Sequence, residues 1–368
     1  MLASYPVAAA VLRGVIVARL TRSEVFDPGE IAIAHICSRT VRRCFLMGDD
    51  PFTGKNFDHR KEWIEQHLTH FANCFGVDLL AFALLSNHVH LILRTRPDVV
   101  ATWSDNEVAR RWMMICPHRR GPDGQPLPPT EAEIRSIAGC PVKCGEIRKR
   151  LSNISWWMRL LCQRIAMRAN HEDEESGHFF QDRFHATRIV DEASLLACAA
   201  YVDLNPIRAA MAKTLEQSDH TSVQRRIESI ISDRDEVVPA AKRRDRFLAP
   251  VSIDERSDEI GPCLSRSGKR CSDKGFLPMS LEAYLETLDW TARQIAPGKC
   301  GRTPADAPPV LRRLGLDTKT WCELVGDFGR LFCLVAGRPE SVDPLRSHRT
   351  HRRYHLRRRA RELLTRAD

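Results

Sequence analysis

The sequence predicts an α+β fold, and three observations lead to it. Apolar runs with the alternation of strands stand at residues 31–37 and 77–94. Between and after them come stretches with apolar residues at helical spacing, clearest over 59–75 in Trp63, Ile64, Leu68, Phe71, Ala72 and Phe75. No run of about 18 uninterrupted apolar residues exists, so no membrane span is expected.

The elements follow in order. The first strand begins at Ile31, and Arg39, Arg42 and Arg43 come directly after it. Asp50-Pro51-Phe52-Thr53-Gly54 is a turn sequence. The helix over 59–75 is expected to stop at Gly76, in the place glycine takes just past a C-terminus. Strands 77–85 and 87–94 stand so close that they read as an antiparallel hairpin. A helix near 104–114 and a Pro/Gly-rich insert over 117–144 intervene. A long amphipathic helix is then predicted over 146–169. Residues 179–190 read as a strand or a turn and strand, and Asp191 can cap a helix running to about Asn205. Strand, helix, strand, strand, helix, strand, helix predicts a ferredoxin-like βαββαβ antiparallel sheet with helices on one face.

Beyond residue 232 the character changes. Residues 233–275 are polar and charged, with Lys242-Arg243-Arg244 among them, and read as a linker. Helical spacing returns over 276–340 in Leu281, Tyr284, Leu285 and Leu288, and again in Trp321, Leu324, Val325 and Phe328. The expected division is an extension 1–27, a principal domain 28–232, a linker 233–275, and a helical accessory region 276–368 with an arginine-rich tail.

At 368 residues and 43% hydrophobic content the chain can bury a sizeable core and exceeds the usual single domain. Its net charge of +9 is unevenly spread, with nine arginines between Arg346 and Arg366. Such a tract either attracts a polyanion or is a solvated tail. Thirteen cysteines lie scattered without a framework, which suits free thiols and a cytoplasmic protein. Arg13 and Arg19 interrupt the apolar N-terminus, so no signal peptide is expected.

The most informative stretch is Ser86-Asn87-His88-Val89-His90-Leu91-Ile92-Leu93. Strand side chains alternate, so His88 and His90 share one face while Val89, Leu91 and Leu93 face a core. Two such imidazoles on an exposed face are either a divalent-metal pair or polar residues on the wet side of the sheet. About 110 residues later stands Tyr201-Val202-Asp203-Leu204-Asn205-Pro206-Ile207-Arg208-Ala209. Tyr201 and Asn205 are four apart, hence on one helix face that Pro206 brings to its end. Tyrosine is scarce, four in the chain, which raises the weight of this one. A tyrosine facing a two-histidine metal site can attack a phosphodiester, with the Asn205 amide oxygen as third ligand. A phosphotyrosine link conserves the bond energy, so the freed 3′-hydroxyl can reverse the step.

These motifs, with Gly177-His178-Phe179-Phe180-Gln181-Asp182-Arg183-Phe184 between them, resemble the HUH superfamily of single-strand DNA nucleases. Within it they are similar to the REP-associated tyrosine transposases and their insertion-sequence relatives, over roughly residues 28–230. The resemblance implies a ferredoxin-like domain, a Mg²⁺ or Mn²⁺ ion, and cleavage of single-stranded DNA next to a hairpin through a 5′-phosphotyrosine. It implies His88 and His90 as metal ligands, Asn205 as a third, and Tyr201 as nucleophile; a homodimer is admitted by analogy. The insert after the histidine hairpin is longer than in compact members, and residues beyond 232 match nothing in the family. Arg39, Arg42 and Arg43 are candidates to line a nucleic-acid groove through phosphate contacts. Arg183 and Arg208 are candidates for the same work, or for fold support and a surface ion pair. Trp156 and Trp157 either stack on bases or pack in the core. The rival function is a non-catalytic hairpin-DNA-binding descendant of such an enzyme.

Overall fold

The computed structural model describes residues 27, 29–235, 243–254, 261–295, 307–347 and 354–365. The N-terminal extension therefore falls almost wholly outside the described residues, as do Lys242, Arg349, Arg352, Arg353 and Arg366. Strand β1 spans Ile33–Arg39, helix α1 His59–Cys74, and the hairpin strands β2 and β3 Val77–Leu84 and His88–Thr95. Four helices follow. They are α2 (Pro97–Ala101), α3 (Asp105–Ile115), α4 (Glu131–Ala138) and α5 (Pro141–Leu151), before α6 (Ile154–Glu172). Of the four, α3 is the helix expected near 104–114, while the others stand beside it or replace the loop insert and the start of the one long helix. Strand β4 (His185–Ile189) leads into α7 (Glu192–Asp203), the one-turn α8 (Asn205–Arg208) and α9 (Ser222–Asp235). The C-terminal part holds α10 (Leu281–Ile295), α11 (Pro309–Arg313), α12 (Thr318–Leu331), β5 (Val335–Ala336), α13 (Pro339–Ser347) and α14 (Arg358–Leu364).

The five strands form one sheet in the order β2-β3-β1-β4-β5. The first four pair antiparallel, and β5 adds in parallel to β4. Alternation along β3 separates two cores. Val89, Leu91 and Leu93 join Phe71, Trp157 and Ile165 on one side. Ile92 joins Leu196, Ala200, Tyr284, Trp321 and Phe328 on the other.

Helices thus cover both faces, not one. The reason lies in α7, ten of whose twelve residues are buried. A helix that is apolar all round cannot leave a side in water, so it is sandwiched between the sheet and the C-terminal helices. The face carrying His88 and His90, expected to be exposed, is therefore roofed by α7 and α12.

Three local expectations are also corrected. The predicted helix 146–169 is broken at 152–153, where the Asn153 side chain accepts from the Ser155 amide at 2.7 Å and caps α6. Capping a new helix competes with continuing the old one. The 117–144 insert contains α4, which a complete capping box from Thr130 and Glu133 starts. Gly76 is not a left-handed cap, since the helix ends on extended Phe75. A Cβ on Gly76 would fall 1.9 Å from Val100 Cγ2, so close packing of α2 explains the glycine. Asp191 does cap α7, accepting from the Ser194 amide at 2.8 Å.

The described part of 243–275 lies along the β2 edge. The Ala249 amide donates to the Leu79 carbonyl at 2.9 Å. Buried Asp78 takes an ion pair from Arg94 at 2.8 Å and a hydrogen bond from the Ser272 hydroxyl at 2.9 Å. In the tail, Arg359 pairs with Glu323 and Arg361 with Asp343, while Tyr354, Leu356 and Leu364 are buried. Those arginines fasten the tail to the C-terminal helices.

Candidate functional site

The site is built where β1, β3, α7 and α12 meet. Register sets Cys37 of β1 opposite His90 and Arg39 opposite His88, so all four side chains start from one sheet face. His35, two residues before Cys37, shares that face. Its Nε2 and His90 Nδ1 share a hydrogen bond at 2.9 Å, and the rings stack with centroids 5.0 Å apart. The His88 ring stands edge-on to His90 at 4.8 Å, and its Nδ1 donates to Asn87 Oδ1 at 2.7 Å.

Tyr201 comes down from α7 onto this cluster. Its ring meets His90 edge-on at 5.3 Å and His35 at 5.7 Å. Phe328 of α12 packs against both the tyrosine and His35, with centroids 5.8 Å from each. The Arg208 guanidinium sits over the ring at 4.7 Å and also donates to the Gly326 carbonyl of α12. Tyr201 is half-buried in consequence, and burial raises its hydroxyl pKa against the pull of Arg208.

Burial also sets the charge state of the histidines. His35 is held down to about 3 by desolvation and then by His88. His88 is held to about 4 by desolvation, Arg39 and Arg208, and His90 is pushed well below the usual imidazole range by desolvation and then by His88 and His35. All three rings are neutral at pH 7 and keep a lone pair for a ligand or a proton.

A divalent cation fits this donor set. Each of His88 and His90 has one ring nitrogen engaged and the other turned to no protein partner, which is the division of labour of metal-ligating imidazoles. His90 Nε2 is buried with no hydrogen-bond partner. Among the described residues no three His, Cys, Asp or Glu side chains group to hold a metal ion, and the motif offers an amide oxygen as third donor. Asn205 is the candidate. It is buried and opens α8 after the chain breaks at Leu204, so Tyr201 and Asn205 do not share one continuous helix. Pro206 is the cause, because it has no N–H to donate to the Val202 carbonyl four residues back, and its ring crowds that carbonyl. Beside His88 opens a cavity of about 710 Å³, lined among others by Ser86, Asn87, Pro206, Asp219 and His220.

The predicted basic residues gather at the same end of the sheet. Arg39 closes β1, and exposed Arg42 and Arg43 follow in a turn with left-handed backbone at φ 49° and 60°. The loop carrying exposed Arg183 lies against that turn, since the Val41 amide donates to the Phe179 carbonyl and the Gln181 amide to the Arg39 carbonyl. Arg208 is half-buried against Tyr201. The tryptophans part company. Trp157 is core, while half-buried Trp156 lies between the guanidiniums of Arg150 at 4.4 Å and Arg159 at 4.9 Å.

Two members of the site escaped sequence reading. His35 sits in a predicted strand, but its nearness to His90 depends on the β1–β3 register. Phe328 belongs to a helix some 125 residues beyond Tyr201, and no local pattern joins them.

No family model and no curated protein matches the chain. Among solved structures, that of a REP-associated tyrosine transposase bound to a REP hairpin matches with 11% sequence identity and a TM-score of 0.31. The match covers 53% of this chain and 79% of the other. The likeness is distant.

Proposed function

We propose that the protein is a single-strand DNA endonuclease and strand transferase that cuts next to a hairpin through a 5′-phosphotyrosine. One observation carries the reading. Tyr201, the tyrosine of the transposase-like motif, meets His90 of the His88–His90 pair edge-on, with ring centroids 5.3 Å apart. The four antiparallel strands β2-β3-β1-β4 suit the ferredoxin-like order, with 28–232 as the catalytic unit and 276–368 as an accessory region.

In this reading the Tyr201 oxygen attacks the scissile phosphorus in line. A Tyr–O–P bond forms, the bond from phosphorus to the 3′ oxygen breaks, and the tyrosine proton ends on the released 3′-hydroxyl through solvent. Arg208, over the tyrosine ring, favours the ionised nucleophile. Arg39, Arg42, Arg43 and Arg183 hold the backbone on either side of the cut by phosphate contacts. His88, His90 and Asn205 would hold Mg²⁺ or Mn²⁺, which when bound supplies positive charge beside the phosphate. The partner is single-stranded or hairpin DNA, reached in the cytoplasm, and a homodimer would provide the second tyrosine for joining.

A second reading, a hairpin-binding protein without cleavage, is favoured by the cover that Phe328 and Gly329 place over Tyr201. One experiment separates the two. The full chain is incubated with labelled single-stranded hairpin DNA from beside its own gene and Mn²⁺, then run on a denaturing protein gel. A labelled adduct lost in Tyr201→Phe supports cleavage. Tight binding with no adduct on any such hairpin supports the second reading.

A further inference from the structure

We infer that His35 is a positioning residue for His90, holding that imidazole in the tautomer whose Nε2 carries the lone pair. This rests on the metal-dependent reading above and adds to it a residue that neither the motif nor the spacing supplied.

The geometry leaves two arrangements. His35 Nε2 and His90 Nδ1 are 2.9 Å apart, and one hydrogen bond holds one proton. In the first arrangement His90 donates from Nδ1, and its Nε2 is an acceptor. In the second His35 donates, and the His90 proton lies on Nε2. That atom is buried and has no partner, so the second arrangement strands an N–H donor in a dry site. The first leaves a lone pair there, which a cation takes up. Only the first lets His90 ligate through Nε2.

His35 is itself well fixed. Its ring lies nearly parallel to that of His90 at 14°, and the rings of Tyr201 and Phe328 stand perpendicular to it with centroids 5.7 and 5.8 Å away. His88 shows the same scheme, with Nδ1 committed to Asn87 and Nε2 left over. Each candidate ligand thus has its own orienting partner, one from the adjacent residue and one from the neighbouring strand. Such outer partners set ring orientation and raise ligand basicity.

The test uses the full chain and Mn²⁺ binding by calorimetry, alongside histidine ¹⁵N NMR of the metal-free protein. His35→Phe keeps the bulk and removes the acceptor, and is expected to weaken Mn²⁺ binding about 10- to 100-fold. His35→Gln offers a carbonyl oxygen to Nδ1–H and should stay within about threefold of wild type. The NMR spectrum should place the His90 proton on Nδ1. Equal Mn²⁺ binding by His35→Phe and wild type, or a His90 proton on Nε2, overturns the proposal. Should His35→Phe fail to fold, the wild-type tautomer decides. A wild type with the Nδ1 tautomer but no Mn²⁺ binding overturns the metal-dependent reading instead.

Discussion

A Cβ added to Gly329 of α12 would stand 3.2 Å from the Tyr201 hydroxyl oxygen, whereas one on Gly326, a turn earlier, would meet nothing within 4 Å. Glycine costs a helix about 1 kcal/mol relative to alanine. Gly326→Ala is therefore expected to stabilise the protein by about 0.5–1 kcal/mol in urea unfolding, with adduct formation unchanged. Gly329→Val should act on the site instead. Displacing the hydroxyl by about 1 Å is expected to cut adduct formation roughly 100-fold while hairpin binding persists. Equal behaviour of the two variants would show that α12 does not bear on Tyr201.

Asp203 lies two residues from Tyr201, but its work is structural. It is fully buried and accepts from the Ser222 hydroxyl, from the Val223 amide at 3.1 Å and from the Tyr284 hydroxyl at 2.6 Å. It ties α7 to α9 and α10. Asp203→Ala strands three donors and should cost about 3 kcal/mol or more in thermal or urea unfolding. Mn²⁺ affinity of the folded fraction should not change.

Acid should destabilise the protein through its buried imidazoles. An unfolded histidine titrates near 6.5, while folded His88 and His35 titrate at about 4 and 3. Below pH 6.5 the unfolded chain binds protons that the folded one refuses. Stability is thus full above 6.5 and falls as pH drops towards the folded values. Between pH 6.5 and 4 His35 alone should remove about 3 kcal/mol. Urea midpoints at pH 7 and 4.5 measure this, and His35→Phe should flatten the difference.

Glu65 acts in the same direction at lower pH. Burial pushes its pKa up, but hydrogen bonds from Arg225 and His220 outweigh that and hold it at about 2. Its contribution is present above the ordinary carboxylate value and disappears as pH falls through 2. Glu65→Gln should lose on the order of 3 kcal/mol at pH 7 and much less at pH 2.5.

The tail arginines provide a contrast. Arg359 and Arg361 are committed to Glu323 and Asp343 on the C-terminal helices. Replacing both by alanine should change hairpin affinity less than replacing Arg42 and Arg43, which stand exposed in the turn after β1. Each tail pair, lying at the surface, should contribute little to stability. Filter binding at two salt concentrations distinguishes the two sets.

The sequence alone determined the local elements. Alternation named the hairpin strands and put His88 and His90 on one face, helical spacing marked α1, and Asp191 was legible as the cap of α7. These are properties of neighbours in the chain, set by backbone periodicity and short-range hydrogen bonds. It did not reveal the break at Asn153, where a cap competes with helix continuation, or the packing that explains Gly76. Tertiary structure alone decided which face of the sheet would be dry. The all-round apolar surface of α7 needed a second cover, and only the return of α12 over Tyr201 provided it. The strand register that sets His35 against His90 was likewise decided by pairing between residues 55 positions apart. Burial by distant segments then sets the charge and tautomer of these rings, which no local pattern encodes.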